Sequence, residues 1–363
     1  MRMRLSVLPC LACLAAPSVV AASAAFGEDL RRPVLGIALA PHGGGWRVVD
    51  GDDRVLGVGD QAWCDRRRAE VLVARHGRGH RNLRLPTLGG MQCWADLFSE
   101  RGWRIQRNIV TGHCRLLDDR DRRHAWGDVA ACRATYEWTR VARGLAPPRD
   151  DLVILLHGLG RSRRSLARVA AALGRADRDV VAMSYPSTRA GVAEHAQRLA
   201  ALIAGMRGVR RVSFVTHSLG ALVVREALAH VPGDRVAADR LCMIFPPNRG
   251  SDRALAWSGT LLFQLLCGPA GADATPMGAR AIPPPSCRFA IIAGGRGDGV
   301  GRNRRIPGDD DGTVAVAETM LDGADEHVVL DVGHTVGMGD PRVVAAVVRY
   351  LDGGALRPSV APP

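Results

Sequence analysis

The stretch Val212-Ser213-Phe214-Val215-Thr216-His217-Ser218-Leu219-Gly220-Ala221-Leu222-Val223-Val224 decides the fold. Val212, Phe214 and Val215 form an apolar, β-branched run that reads as a buried strand, and Leu219, Leu222, Val223 and Ala227 follow at helical spacing. Strand gives way to helix within one or two residues, with Ser218 at the junction. The pentapeptide Thr216-His217-Ser218-Leu219-Gly220 nearly matches the G-x-S-x-G elbow pattern. A turn this sharp lifts the serine oxygen clear of the sheet and aims the first helical N–H groups at whatever the serine attacks. Backbone passes close by, so small residues are needed two positions either side. Gly220 meets that need and Thr216 departs from it. A Ser-Leu-Gly turn also serves purely structural ends, so the assignment depends on other parts of the chain.

On both sides of this stretch the pattern alternates strand and helix. Upstream, Leu152 to Leu156 is an apolar strand ending in His157-Gly158-Leu159-Gly160. A helix capped by Ser162 and stopped by Gly174 follows, then the strand Val180 to Met183 and a helix marked by Val192, Leu199, Leu202 and Ile203. Downstream come the strand Leu241 to Phe245, a helix near Ala254 to Leu266, a Pro- and Gly-rich stretch 268–286 that reads as either a lid or a long loop, and the strand Phe289 to Ile292. The last strand is His327 to Val332. The last helix starts at Asp340-Pro341 and buries Val343, Val344, Val347, Val348 and Leu351. This succession predicts an α/β fold with a doubly wound, mostly parallel sheet.

In such a sheet functional groups gather at the carboxyl ends of the strands. The His157-Gly158 loop, Ser218 and His334 each fall at such an end, whereas His327 lies at the opposite end of its strand. Acyl transfer needs a nucleophile, a base, a carboxylate that orients the base, and N–H donors for an oxyanion. The run Asp309-Asp310-Asp311-Gly312-Thr313-Val314 lies in a loop between the Phe289 strand and the His327 strand, which completes the order Ser, Asp, His. A solvated acidic loop or a calcium loop is the competing reading of that run. Among its carboxylates Asp311, directly before Gly312, is the expected partner of His334. His157 reads as a structural histidine and His217 as a neighbour of the elbow.

Together, Leu-Leu-His-Gly-Leu-Gly (155 to 160), Thr-His-Ser-Leu-Gly (216 to 220), Pro-Pro-Asn-Arg-Gly-Ser (246 to 251), Asp-Asp-Gly-Thr-Val (310 to 314) and Gly-His-Thr (333 to 335) resemble the small bacterial α/β-hydrolase lipases and esterases, related to the compact secreted serine lipases. The resemblance spans about Leu152 to Leu351. It implies an α/β-hydrolase sheet, Ser218 as nucleophile, Asp311 and His334 as its partners, oxyanion N–H groups from Leu159 and Leu219, and a small-molecule or lipid ester as substrate, with no cofactor and no metal. An acyltransferase on the same fold would use the same residues, and a non-catalytic binding module would keep the fold alone. Ala221, where a second glycine is frequent, and Thr216 loosen the match.

The remainder of the chain divides around this part. Residues 1–25 carry Arg2 and Arg4, an apolar run and then Ala22-Ser23-Ala24-Ala25, the pattern of a signal peptide, which places the mature chain outside the cell or in the periplasm. Residues 26–150 form an N-terminal accessory region of α+β character, 151–353 the hydrolase-like part and 354–363 a tail. The accessory region holds most of the tryptophans. It shows a hairpin around Asp50-Gly51, an alternating strand from Trp103 to Val110 and a short helix near Asp128 to Val141. Export makes disulfides among Cys64, Cys93, Cys114 and Cys132 the expected staples. His76 and His80 stand in too glycine-rich a context to share a helical face as zinc ligands. All 49 basic residues are arginine and the formal charge is +13, which suits a peripheral partner such as an anionic envelope surface. No nucleic-acid motif accompanies the charge.

Overall fold

The computed structural model describes residues 36–50, 52–76, 87, 92–174, 178–231, 235–258, 260 and 267–358. The leader pattern at 1–25, His80 and part of the helix expected up to Leu266 lie outside the described residues.

The chain begins with two small antiparallel sheets. Strands β1 (Ala38–His42), β2 (Gly45–Val49) and β3 (Val55–Gly59) form the first, with helix α1 (Gln61–His76) against it. Strands β4 (Trp94–Glu100), β5 (Trp103–Asn108), β6 (Cys114–Leu117) and β7 (Arg123–Gly127) form the second. Helix α2 (Val129–Ala142) covers the second sheet, and its N-cap Asp128 accepts from the N–H of Ala131 at 2.7 Å. The hairpin, the alternating strand and the helix therefore stand where their patterns put them.

The disulfide staples do not form at Cys64, Cys114 and Cys132, which are buried thiols. Placement separates Cys64 from the other two. Cys64 sits in the apolar cluster of the first sheet and donates its S–H to the carbonyl of Trp46 at 3.2 Å. Cys114 and Cys132 belong to the separate core under the second sheet with Phe98, Trp103 and Tyr136. These thiols serve as small apolar side chains.

The main sheet has six strands in the order β13-β12-β11-β10-β8-β9, and every neighbouring pair is parallel. They are β8 (Asp151–Leu156), β9 (Asp179–Met183), β10 (Arg211–His217), β11 (Ala237–Ile244), β12 (Arg288–Gly295) and β13 (Glu326–Asp331). Side chains alternate between faces, so each strand feeds two cores. Leu152, Ile154, Leu156, Phe214, Leu241 and Met243 pack on one face with helices α4 (Val192–Ala204) and α5 (Gly220–Leu228). Val153, Leu155, Val215, Ile244 and Ile292 pack on the other with α3 (Ala167–Leu173) and the last helix, Pro341–Leu351. Fully burying each such side chain contributes roughly 1.5–3 kcal/mol, which explains the unbroken apolar runs. The chain passes from β8 to the edge strand β9 and returns to the other side of β8 as β10. The topological switch point therefore lies between the carboxyl ends of β8 and β10.

The N-terminal sheet clasps the loops at that end. Asp96 of β4 accepts from the N–H of Ser184 at 2.7 Å and donates its own N–H to the Ser184 carbonyl at 3.0 Å. Asp121, with a left-handed φ of 60°, pairs with Arg163 at 2.7 Å and Arg164 at 2.9 Å.

The stretch at 268–286 is built as packed chain. It carries two short helices, Pro269–Asp273 and Pro276–Ala281, with Ala270 and Ala279 buried in the main core. Arg225 of α5 holds it down by donating to the carbonyls of Pro283 (3.1 Å), Ile282 and Ala279 (3.5 Å), and to that of Asn248 (3.1 Å). Burial pulls the Arg225 pKa down to about 10, so the guanidinium stays charged at neutral pH.

Two imidazoles flank the buried Tyr185: His157 stacks on its ring at 4.4 Å and His195 meets it edge-on at 4.9 Å. Burial pushes the pKa of His157 down to about 4, and burial with the nearby charge of Arg198 does the same to His195.

Two outcomes follow from this packing. Arg225→Leu strips several buried carbonyls of their donor and should cost about 3 kcal/mol or more, read as a lower urea midpoint at unchanged slope; an unaltered midpoint would contradict the clamp. The two imidazoles should also make stability depend on pH. Their folded pKa values of about 4 lie below the unfolded value of 6.5, so the unfolded chain binds more protons in that window. Stability should be full above about pH 6.5 and fall toward pH 4, each group adding a slope of up to ~1.4 kcal/mol per pH unit. His195→Leu should flatten that slope when urea midpoints are compared across the window; an unchanged slope would show that His195 titrates normally.

Candidate active site

Ser218 sits where β10 ends and α5 begins, at a φ of +51°. A side chain held in the left-handed region costs about 1–2 kcal/mol, which the surrounding bonds must offset. Its N–H donates to the Ile244 carbonyl at 2.9 Å, and its own carbonyl accepts from the N–H of Ala221 at 2.9 Å. Glycine is required at two places nearby. A Cβ on Gly220 would lie 2.7 Å from the Leu156 carbonyl oxygen, and one on Gly158 would lie 2.7 Å from Nδ1 of His217 and 3.1 Å from Cβ of Ser218. Thr216, the departure from the small-residue pattern, fits as a fully buried strand residue.

The three separated residues singled out from the sequence meet here. Nε2 of His334 lies 3.0 Å from Oγ of Ser218, and its Nδ1 lies 2.6 Å from Oδ2 of Asp311. The network assigns the tautomer: Nδ1–H donates to the carboxylate and Nε2 is left to accept from the serine hydroxyl. Asp311 is fixed in turn. Its Oδ1 accepts from the N–H groups of Thr313 (2.9 Å) and Val314 (2.8 Å), and its carbonyl accepts from the N–H of His334 at 2.9 Å.

The neighbouring aspartates do other work. Asp310, fully buried, accepts from the N–H groups of Arg302 (3.0 Å), Asn303 (3.1 Å) and Gly312 (2.6 Å). Asp309 accepts from those of Arg296 (2.7 Å) and Gly297 (2.8 Å). These carboxylates tie down the loop 296–303 with backbone donors, the arrangement of a structural turn. A short helix, Val316–Thr319, follows this loop, and His327 binds Thr319 there at 2.8 Å, away from the serine.

Leu159 lies in the turn after β8, and Leu219 follows Ser218 at the N-cap of α5. Neither N–H has a protein acceptor among the described residues.

Sequence reasoning gave His217 too small a part. Its ring is buried, its centroid is 4.8 Å from that of His334, and its Nε2 lies 3.1 Å from the His334 carbonyl oxygen. Burial, with the adjacent His334 adding to it, holds its pKa well below 6.5, so the neutral ring donates Nε2–H to that carbonyl. Phe245 was missed altogether. At a φ of +52° its buried ring lies 5.9 Å from His334 and 6.1 Å from His217, forming an apolar wall for both. Only its place as the last residue of the expected strand Leu241 to Phe245 hinted at this; the structure ends that strand at Ile244.

The strand order, the switch point and the left-handed serine between β10 and α5 make this an α/β-hydrolase fold with added N-terminal sheets. Residues 147–246 match the family model described as "Putative serine esterase (DUF676)". Comparison with curated proteins gives no match. Among solved structures, the mature form of a Bacillus licheniformis lipase is 18% identical with a TM-score of 0.40, the match covering 54% of this chain and 90% of that one. A metagenomic carboxyl esterase is 18% identical with a TM-score of 0.42, over 51% of this chain and 64% of its own. The type II thioesterase of the borrelidin biosynthetic cluster is 20% identical with a TM-score of 0.39, over 58% and 95%.

Proposed function

We propose that this chain is a serine hydrolase that cleaves carboxylic ester bonds, of small-molecule or lipid esters, through an acyl-enzyme intermediate. The observation that carries the reading is the unbroken relay from Ser218 Oγ to His334 Nε2 at 3.0 Å and from His334 Nδ1 to Asp311 at 2.6 Å. The description of the family matched over residues 147–246 supports the same chemistry.

Each step of this reading draws on one of these groups. His334 takes the Ser218 proton as Oγ attacks the ester carbonyl carbon, and the imidazolium formed is stabilised by Asp311. The carbonyl oxygen becomes an oxyanion and takes up the N–H groups of Leu159 and Leu219. Collapse of the tetrahedral adduct breaks the bond to the alkoxy oxygen, which leaves with the proton from His334. Water then attacks the acyl-serine with His334 as base, releasing the acid and restoring Ser218. The leader pattern at 1–25 supports a secreted or periplasmic setting, and the +13 charge suits peripheral contact with an anionic envelope.

A panel of p-nitrophenyl esters from short to long acyl chains tests the activity and its substrate range. Ser218→Ala and Asp311→Asn should each lose about 10⁴-fold or more in kcat with thermal stability retained. Asp310→Asn should instead lower the melting temperature, because its carboxylate serves the backbone. Near-normal turnover in Asp311→Asn, with loss in Asp310→Asn, would overturn the assignment of the orienting carboxylate.

A further inference from the structure

Gln92 precedes the hydrolase sheet by nearly sixty residues in sequence, yet its side chain lies among the loops that frame Ser218. Its Nε2 donates to the carbonyl of Arg161 at 2.9 Å and to Oγ of Ser187 at 3.2 Å. Its Oε1 accepts from the N–H of Thr188 at 3.0 Å and from the Thr188 hydroxyl at 2.9 Å. Ser187, fully buried, accepts in turn from the N–H of Gly160 at 2.9 Å and lies 3.5 Å from the Gly158 carbonyl. One amide thus fastens the turn after β8 to the loop after β9, with bonds on both sides of Leu159. Gly160, at a φ of +66°, gives this turn a backbone that other residues rarely adopt, so outside bonds are needed to hold its peptides at a fixed angle.

We propose that Gln92 is a positioning residue that sets the direction of the Leu159 N–H toward the oxyanion, so that the region before Asp150 completes the active site of the hydrolase domain. The proposal rests on the ester-hydrolase reading above. Gln92 touches neither the serine nor the histidine, so it acts on the transition state through the loop. An N–H aimed at a developing oxyanion is worth more in the transition state than in the bound ester. Misdirecting it lowers kcat while leaving KM in place.

The test compares the purified full chain with Gln92→Met, which keeps the length and removes every bond, and Gln92→Glu, which keeps the acceptor for Thr188 and removes the donor to Arg161 and Ser187. Should Gln92→Met fail to fold, the Thr188 anchor retained in Gln92→Glu keeps the comparison available. The expected result is a kcat about 10- to 100-fold lower per folded molecule, below the ~10²–10³ of losing an oxyanion donor outright, with KM within about twofold. A trifluoromethyl ketone, whose serine adduct carries an oxyanion, should weaken by the same factor. The acid limb of the kcat/KM pH profile should stay in place, since the relay to Asp311 is untouched. A folded Gln92→Glu with wild-type kcat and ketone affinity would overturn the positioning role alone. A wild type without turnover on any ester, and without ketone binding, would overturn the hydrolase reading and this proposal with it.

Discussion

The close approach of β8 and β10 at their carboxyl ends governs the rest of this molecule. A Cβ on Gly220 would meet the Leu156 carbonyl oxygen at 2.7 Å, and one on Gly158 would meet the His217 ring at 2.7 Å. Because both positions lack a side chain, the elbow helix α5 starts directly against the loop that leaves β8. That contact brings the turn carrying Leu159 up to the elbow that carries Ser218 and Leu219. It also forces Ser218 to a φ of +51°, a conformation kept by the Ile244 bond beneath it and the buried core of α5. Local strain here is offset by packing elsewhere, as in other preorganised sites.

The second half of the site is arranged by backbone donors. The carboxylates of Asp309, Asp310 and Asp311 accept N–H groups in different parts of one loop, and only Asp311 has an oxygen left facing His334. The carbonyl of His334 is held by His217, a neutral ring fixed on the same turn as the serine. Histidine and serine are therefore anchored to one another twice, once through the reacting hydrogen bond and once through this buried brace. The N-terminal region adds a third set of restraints through Asp96, Asp121 and Gln92, which reach the loops after β8 and β9.

Much of this was legible because it follows from periodicity. Apolar residues spaced by two along β8, β10, β11 and β12 predict strands that feed two cores, and those are the residues on the two faces. Ser218 and His334 are marked by their places just beyond strand ends, and Asp311 by its place before Gly312 in the loop between β12 and β13. The restraining residues were not legible, because Gln92, His217, Phe245 and Arg225 act through contacts between distant segments. Nothing in the spacing of Gln92 marks it as a neighbour of Ser187 and Thr188. The cysteines show the reverse error. Composition and the leader pattern favour staples, whereas Cys64 lies in a different core from Cys114 and Cys132, and all three are buried free thiols.

The central claim is that Ser218 itself becomes acylated, and mass spectrometry of an acid-quenched reaction tests it most directly. With an ester that deacylates slowly, the account predicts a peptide containing Ser218 heavier by one acyl group, present in the wild type and missing from Ser218→Ala. Turnover of the same ester with the acyl mass on a different residue would contradict it.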